Sequence, residues 1–194
     1  MHADQDPKPD PSERKVSRSD HNASDLILPD EAATMALGAA LAPALVAGQA
    51  PGIVIFLEGD LGAGKTTLVR GLLRALGYTG KVKSPTFTMV ELYAISRLNL
   101  YHFDFYRFKQ AEEFIDAGFD EYFLGEGICL VEWPEKAGAY LPPADLCLRL
   151  SVIADGRRAE LRCGSEKGRQ CLTQWLSCIA DNPGAMRSSS PPPR

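Results

Sequence analysis

The hydrophobic and polar positions along the chain change period several times, as in proteins that alternate helices and strands. Leu37, Leu41 and Leu45 lie four residues apart and predict the buried face of a helix that begins after Asp30, a typical N-cap residue. The next element is predicted to be a strand, because residues 53–57 form a continuous apolar run rich in β-branched side chains. A run of this kind is typical of a strand that is covered on both faces of a sheet.

The pattern downstream predicts further helices and strands. They are a helix over 68–76 that Gly77 ends, strands over 86–93 and 97–104, a helix over 109–117, a strand over 127–131, strands over 146–153 and 157–163, and a helix over 167–180. The two strand pairs are predicted to form antiparallel hairpins, which turn near Ile95-Ser96 and Asp155-Gly156. The sum is an α/β sandwich with a mixed parallel and antiparallel central sheet.

The composition limits the class of protein. With 194 residues, of which 45% are hydrophobic and 24% charged, the chain suits one globular domain and is unlike a disordered or collagen-like chain. Its 21 lysines and arginines against 25 aspartates and glutamates give a net charge of -4, which disfavours a surface that binds bare nucleic acid. Charged residues and proline crowd both ends, so we predict disordered tails over 1–23 and 181–194 around one domain, 24–180.

A membrane protein and an exported protein are both disfavoured. Residues 32–57 carry no charge, but Pro43, Gly48 and Pro51 interrupt this stretch, which favours a helix and a strand over a membrane span. The N-terminal residues lack the apolar core of a secretory signal. The five cysteines are odd in number and form no C-x-x-C pair, which favours reduced thiols and a cytoplasmic location.

A phosphate-binding loop follows the first predicted buried strand. Residues 59–66 match the pattern G-x-x-x-x-G-K-S/T between a strand and a helix, the context that this motif requires. Glycines let backbone N–H groups approach phosphates, while Lys65 would bridge the β- and γ-phosphates and the Thr66 hydroxyl would bind Mg²⁺. The predicted phosphate-binding residues are Gly59, Asp60, Leu61, Gly62, Ala63, Gly64, Lys65, Thr66 and Thr67.

Two acidic residues at predicted strand ends are candidates for the chemistry. Glu132 follows a buried strand, where ligands gather in open α/β sheets, and is the candidate for the Mg²⁺ shell, either directly or through a water molecule. Asp104 ends another strand and is either catalytic or a turn former. The chain has no N/T-K-x-D segment to recognise guanine, so ATP is the favoured nucleotide.

Three residues close in sequence to these two acids each allow two interpretations. Trp133 is either a core residue or a flat ring beside the nucleotide. His102 fits packing or a hydrogen bond better than proton transfer, because it lies alone in an alternating strand. Arg107 fits a cation near phosphates and an exposed ion pair equally well.

Five segments together resemble the bacterial TsaE (YjeE) family. They are LPDEAATMALG, EGDLGAGKTTLVRGLL, VKSPTFTMVELY, YHFDFYRF and ICLVEWPE, and the resemblance spans residues 26 to about 142. It implies a P-loop NTPase-like fold and an ATPase that uses ATP and Mg²⁺. It also implies action with TsaB and TsaD in forming N6-threonylcarbamoyladenosine at tRNA position 37, in tRNAs that read codons beginning with A. Contact with tRNA would then be indirect, through the complex, and self-association stays open.

The resemblance also assigns roles to the site residues. It implies that residues 62–67 hold the phosphates and that Thr66 and Glu132 serve Mg²⁺. It makes Asp104 essential, which with Lys65 and Glu132 gives three predicted catalytic residues. The family's common leucine after this aspartate is phenylalanine here, a conservative apolar change.

Two further roles rest on the resemblance alone. It implies that Thr34, in the first helix, and Trp133 border the adenine. It also implies that Ser84-Pro85-Thr86 form a switch-like loop that senses the γ-phosphate. A plain turn before a strand is the alternative for this segment, because Ser-Pro favours turns in general.

Three functions remain in competition on the sequence. The first is a partner-controlled ATPase of a tRNA-modifying assembly, and the second is a stand-alone small-molecule kinase. A kinase usually carries an arginine-rich lid, whereas here the phosphate loop is followed by a hairpin and an acidic stretch, 112–126. The third is a nucleotide-sensing module, which differs from the first only in turnover.

Overall fold

The computed structural model describes residues 23–47, 52–181 and 187–188. The strands are β1 (Ala23–Leu28), β2 (Val54–Glu58), β3 (Val90–Ile95), β4 (Leu98–Asp104), β5 (Ile128–Glu132), β6 (Leu146–Ile153), β7 (Gly156–Cys163) and β8 (Arg187–Ser188). The helices are α1 (Glu31–Ala47), α2 (Lys65–Ala75), α3 (Glu113–Asp116) and α4 (Glu166–Ala180), with 3-10 helices at Phe119–Phe123, Pro134–Lys136 and Gly138–Tyr140.

All eight strands form one mixed sheet in the order β3-β4-β5-β2-β6-β7-β1-β8. Strands β4, β5, β2 and β6 run parallel to their neighbours in this central group. The remaining pairs, β3 with β4, β6 with β7, β7 with β1 and β1 with β8, are antiparallel. The predicted α/β architecture with a mixed central sheet is therefore confirmed.

Helix boundaries follow the local signals in the sequence. Asp30 caps α1 as predicted, since its side chain accepts a hydrogen bond of 2.7 Å from the Ala33 amide. Helix α2 ends before Gly77, whose φ of 93° lets the Tyr78 amide return to the Leu73 carbonyl. Both predictions are confirmed because capping depends only on residues a few positions apart.

Two strands and two boundaries differ from the predictions. Strands β1 and β8 were not predicted, because β1 is held by pairing with the distant β7, and β8 by pairing with β1. Residues 86–89 form a turn rather than a strand, in which Met89 has a φ of 65° and donates from its amide to Pro85. The helix predicted over 109–117 shortens to α3, because the Glu113 side chain accepts from the amides of residues 109 and 110.

The predicted tails lie largely outside the described residues. Ala23 belongs to β1, and Asp181 directly follows α4. Residues 187–188 form β8 and pair with Leu26 and Ile27 of β1. Within the described ranges, no helix combines the length and apolar character that crossing a membrane demands.

Three helices cover one face of the sheet. Helix α1 packs between α2 and α4, and the buried indole N–H of Trp175 in α4 donates to the Leu37 carbonyl at 3.0 Å. The α1–α2 crossing is close because glycines lie at it: an added Cβ on Gly38 would meet the Leu68 carbonyl oxygen, and one on Gly71 would meet that of Met35. This close packing brings the start of α1 up to the start of α2.

The opposite face of the central strands is covered by the segment that follows β4. Its buried aromatic side chains pack on β4 and β5 in a second hydrophobic cluster. The phenylalanines of this cluster are Phe103, Phe105, Phe108, Phe114 and Phe119. The central strands are therefore buried on both faces, as the apolar runs in the sequence predicted.

We predict that Gly71→Ala destabilises the fold by about 1–3 kcal/mol, the usual cost of overpacking. Helix propensity alone would favour alanine in α2, so a loss of stability would identify the contact with Met35 as its cause. Urea denaturation measures the effect. Gly125→Ala is the control, because an added Cβ there meets nothing within 4 Å. A Gly71→Ala variant as stable as the parent would contradict this account of the helix crossing.

Candidate functional site

The ends of three parallel strands meet at one edge of the sheet. Glu132, the last residue of β5, lies beside Leu57 of β2 on one side and beside Asp104 of β4 on the other. Parallel strands place their carboxyl ends on the same edge, where ligands bind in open α/β sheets. The two predicted acidic residues are therefore neighbours next to the loop that follows β2.

The loop that follows β2 has the backbone that its glycines predict. Gly59 has a φ of 130°, and an added Cβ would collide with the Leu150 carbonyl of β6. Gly64 has a φ of 111° and precedes α2; an added Cβ would lie 3.3 Å from Thr34 and 3.2 Å from Arg157. The loop therefore lies close against β6, β7 and α1, and only glycine fits these two positions without strain.

Lys65 is held across the loop by hydrogen bonds. Its ammonium group donates to the carbonyls of Gly59 and Asp60 at 2.5 and 2.9 Å, and it lies 4.2 Å from the ring centre of Trp133. The residue is only 4% exposed. Burial lowers the pKa of Lys65 from the ordinary value of 10.5, while nearby carboxylates, Glu132 foremost, act in the opposite direction. An ammonium has three N–H donors, so one remains for a further acceptor.

Glu132 is a buried carboxylate with two donors on one oxygen. The Thr66 hydroxyl donates to its Oε1 at 2.8 Å, and Nε2 of His102 lies 2.9 Å from the same atom. Only 3% of Glu132 is exposed. The start of α2 and the strand β4 thus both hold this carboxylate at the edge of the sheet.

Asp104 ties the turn before β3 to the sheet edge. Its Oδ2 accepts hydrogen bonds from the hydroxyls of Ser84 and Thr86, the latter at 2.8 Å, and its Oδ1 accepts from the Tyr106 amide at 2.9 Å. Both oxygens therefore have partners within the chain. The segment that the sequence predicted to be switch-like is attached directly to the predicted catalytic aspartate.

Thr34 and Trp133 contact different parts of the loop. Thr34 is fully buried, its hydroxyl donates to the Asp30 carbonyl at 3.2 Å, and its methyl faces Gly64. Trp133 has a φ of 59°, an uncommon conformation for a bulky residue, and its ring packs 5.0 Å from that of Tyr106. Their predicted role beside an adenine stays a prediction.

Two site residues were missed or undervalued in the sequence. Arg157 of β7 reaches the loop from 94 positions away and donates from Nε to the Ala63 carbonyl at 2.8 Å. No local pattern could have found this contact. For His102 the sequence favours packing or a hydrogen bond over proton transfer, but it does not identify the partner. The fold shows that this partner is Glu132.

The other predicted residues differ in exposure. Leu61 is 73% exposed, so any part it plays in the loop comes from its backbone, whereas Ala63 is fully buried. Thr67 lies half-buried in the first turn of α2. The Arg107 guanidinium lies 4.2 Å from the ring centre of the exposed Phe87, and it forms no ion pair with a described residue. A cavity of about 550 Å³ adjoins the loop; its lining includes Phe56, Glu58, Asp60, Trp133, Arg149 and Ser151.

The strand–loop–helix unit, with Glu132 beside Thr66 at the sheet edge, places the chain in the P-loop NTPase-like class of α/β folds. A family model described as "Threonylcarbamoyl adenosine biosynthesis protein TsaE" matches residues 28–160. The chain belongs to the TsaE family.

Individual relatives agree with this membership. The chain is 41% identical over 149 residues to the tRNA threonylcarbamoyladenosine biosynthesis protein TsaE of Haemophilus influenzae. The alignment covers 76% of this chain and 94% of the relative. It is 45% identical over 119 residues to the protein of the same name from Bacillus subtilis, and that alignment covers 61% of this chain and 74% of the relative. The crystal structure of Bacillus subtilis YdiB superposes with a TM-score of 0.67 at 33% identity and covers 82% of this chain and 97% of that chain.

We predict that Lys65→Met increases the free energy of unfolding at neutral pH, because it removes a buried charge whose pKa is lowered in the folded state. Between the lowered pKa and 10.5 the unfolded parent binds more protons, so parental stability rises with pH there and the advantage of the variant shrinks. Urea denaturation at several pH values measures the difference. The exposed Lys83→Met serves as the control. A variant less stable than the parent at neutral pH would contradict the prediction.

Proposed function

We propose that this chain is the Mg²⁺-dependent ATP-binding and ATP-hydrolysing subunit that acts with TsaB and TsaD in the threonylcarbamoylation of adenosine 37 in tRNAs that read codons beginning with A. The observation that carries the proposal is the Thr66–Glu132 hydrogen bond of 2.8 Å beside Lys65. Membership of the TsaE family supports the pathway, since the relatives are named for threonylcarbamoyladenosine biosynthesis.

The loop offers several donors to a triphosphate. Backbone N–H groups at the start of α2 and the positive end of this helix attract phosphate oxygens. Lys65 adds the third N–H of an ammonium group that Gly59 and Asp60 already hold in position. The cost of burying this charge disappears when phosphates surround it, so binding favours the anionic ligand.

The side chains also fit a magnesium ion. Mg²⁺ prefers oxygen ligands such as hydroxyls and carboxylates. The oxygens of Thr66 and Glu132 are joined by a 2.8 Å hydrogen bond, so both are close enough to serve one ion. No cluster of three metal-binding side chains occurs in the described part of the chain, which suits a P-loop ion because phosphates and water supply most of its ligands. The ion would neutralise phosphate charge.

The base would lie beyond the end of the loop. Thr34 and Arg157 flank Gly64 at the start of α2, and the phosphate nearest the nucleoside would lie beside them. We propose Thr34 as a border of the adenine and add Arg157, whose guanidinium can stack on a base or bind a phosphate. Trp133 is also proposed to border the adenine, and its ring centre lies 4.2 Å from Nζ of Lys65.

Asp104 is proposed to serve turnover rather than binding. It is bonded to Ser84 and Thr86 and lies beside Glu132, so it can relay the position of the 84–86 loop to the end of the phosphate chain. A carboxylate there can also orient the attacking water. Either task matters when the phosphate is transferred and not when ATP merely binds.

A small-molecule kinase is the second candidate. The cavity of about 550 Å³ beside the loop would suit an acceptor molecule, because its lining combines aromatic and charged side chains. One assay separates the functions: ATP hydrolysis by the purified chain alone, with candidate metabolites, and with TsaB and TsaD. Stimulation by the two proteins supports the proposal, stimulation with phosphorylation of a metabolite supports the kinase, and ATP binding with no turnover in any mixture supports a sensing module.

We predict that Asp104→Asn leaves ATP affinity near the parental value and lowers hydrolysis with TsaB and TsaD by about 10²-fold or more, the scale of a positioned acid–base group. The amide keeps the acceptor for Tyr106, and the hydroxyls of Ser84 and Thr86 can turn to accept from its nitrogen. Titration calorimetry and phosphate release measure the two effects. Asp120→Asn, at an exposed position, is the control.

Ser84→Ala separates the two tasks of Asp104, since it removes one loop bond and keeps the carboxylate. A loss of turnover in Asp104→Asn alone would indicate that the charge acts on water. A loss in Ser84→Ala with near-parental hydrolysis in Asp104→Asn, which keeps the loop bonds, would indicate that the aspartate acts through the loop. Parental hydrolysis by both variants would show that Asp104 is only a turn former.

A further inference from the structure

His102 is a fully buried histidine directly beneath the site. It lies on β4, two residues before Asp104, and none of its surface is exposed. Its Nε2 lies 2.9 Å from Oε1 of Glu132. An ionised carboxylate only accepts hydrogen bonds, so Nε2 carries the proton and donates.

The other ring nitrogen shows that His102 is poorly suited to a purely packing role. Its Nδ1 is buried and has no hydrogen-bond partner among the described residues. Buried polar atoms are normally paired, and an apolar residue of similar size would fill the same space without an unpaired atom. Leu100, two positions earlier on the same face of β4, is an example: it is an apolar residue and is fully buried. Among the described residues, the bond to Glu132 is thus the contact of the His102 side chain that an apolar residue could not make.

The hydrogen bond from His102 fixes the orientation of the Glu132 carboxylate, which a single hydrogen-bond partner would leave free to rotate. Thr66 and His102 donate to the same oxygen from two different elements, α2 and β4. With Thr66 alone, the Glu132 carboxylate could rotate about its terminal bonds and still keep one hydrogen bond. The second donor removes this freedom and holds Oε1 next to the Thr66 hydroxyl.

We propose that His102 is a positioning residue that orients Glu132 for the magnesium ion which Thr66 and Glu132 would share. The proposal rests on the proposed Mg²⁺-dependent binding of ATP. Residues that hold a metal ligand by hydrogen bonds commonly set metal affinity, because they fix the ligand before the metal arrives. His102 itself would touch neither the ion nor the nucleotide.

Two amide variants test this role in the full chain. His102→Gln places an amide nitrogen near the position of Nε2, whereas His102→Asn places it near Nδ1, too far from Glu132 to donate. The readout is the ratio of ATP dissociation constants in EDTA and in excess Mg²⁺, measured by titration calorimetry. We expect His102→Asn to lower this ratio by about 10-fold or more, the usual effect of losing such a partner, and His102→Gln to keep most of it. Binding in EDTA should stay parental in both.

Each outcome of the test decides the proposal. Equal ratios for the parent and both amide variants would overturn it and leave the proposed function standing. Equal losses in His102→Asn and His102→Gln would also overturn it, because the ring shape and not the hydrogen bond would then matter. Leu100→Ala is the control for general loosening of β4, and a matching loss there would also overturn the proposal. If Mg²⁺ does not tighten ATP binding by the parent, the proposed function fails together with it.

Discussion

The site depends on one partly buried hydrogen bond, between the Thr66 hydroxyl and the Glu132 carboxylate at 2.8 Å. A buried carboxylate is costly unless hydrogen bonds hold it, and here the donors come from α2 and β4. The bond joins the start of α2, where the phosphate loop ends, to the last residue of β5. It therefore places the loop, the helix start and the acidic edge of the sheet in one arrangement.

The packing of the molecule keeps these parts in register. The glycines at the α1–α2 crossing bring α1 so close that Thr34 faces the end of the loop. From the other side, Arg157 of β7 donates to the Ala63 carbonyl and braces the loop. The phenylalanine cluster covers the second face of β4 and β5, the strands that end in Asp104 and Glu132. A rigid support of this kind suits a site that must fix charged groups within a few tenths of an ångström.

The sequence predicts the parts of this site that depend on neighbours in the chain. The glycines, Lys65 and Thr66 of the loop form one local pattern, and buried strands that end in Asp104 and Glu132 are recognisable from their apolar runs. Contacts between distant segments leave no such pattern: β1 pairs with β7 and β8, both far along the chain, and Arg157 meets a loop 94 positions away. The turn at 86–89 escaped prediction because a positive φ at Met89 overrides the strand propensity of its neighbours.

The most direct test of the account is the effect of Mg²⁺ on ATP binding to the parent and to Glu132→Ala, followed by titration calorimetry. Glu132, bonded to Thr66, is the carboxylate that we propose for the ion. Among the described residues, the hydrogen bonds of Lys65 go to the Gly59 and Asp60 carbonyls and not to Glu132, so its loss should leave the phosphate contacts of Lys65 in place. The account predicts that Mg²⁺ tightens ATP binding to the parent, and that Glu132→Ala loses this gain while it retains binding in EDTA. Identical Mg²⁺ dependence in the two proteins would contradict it.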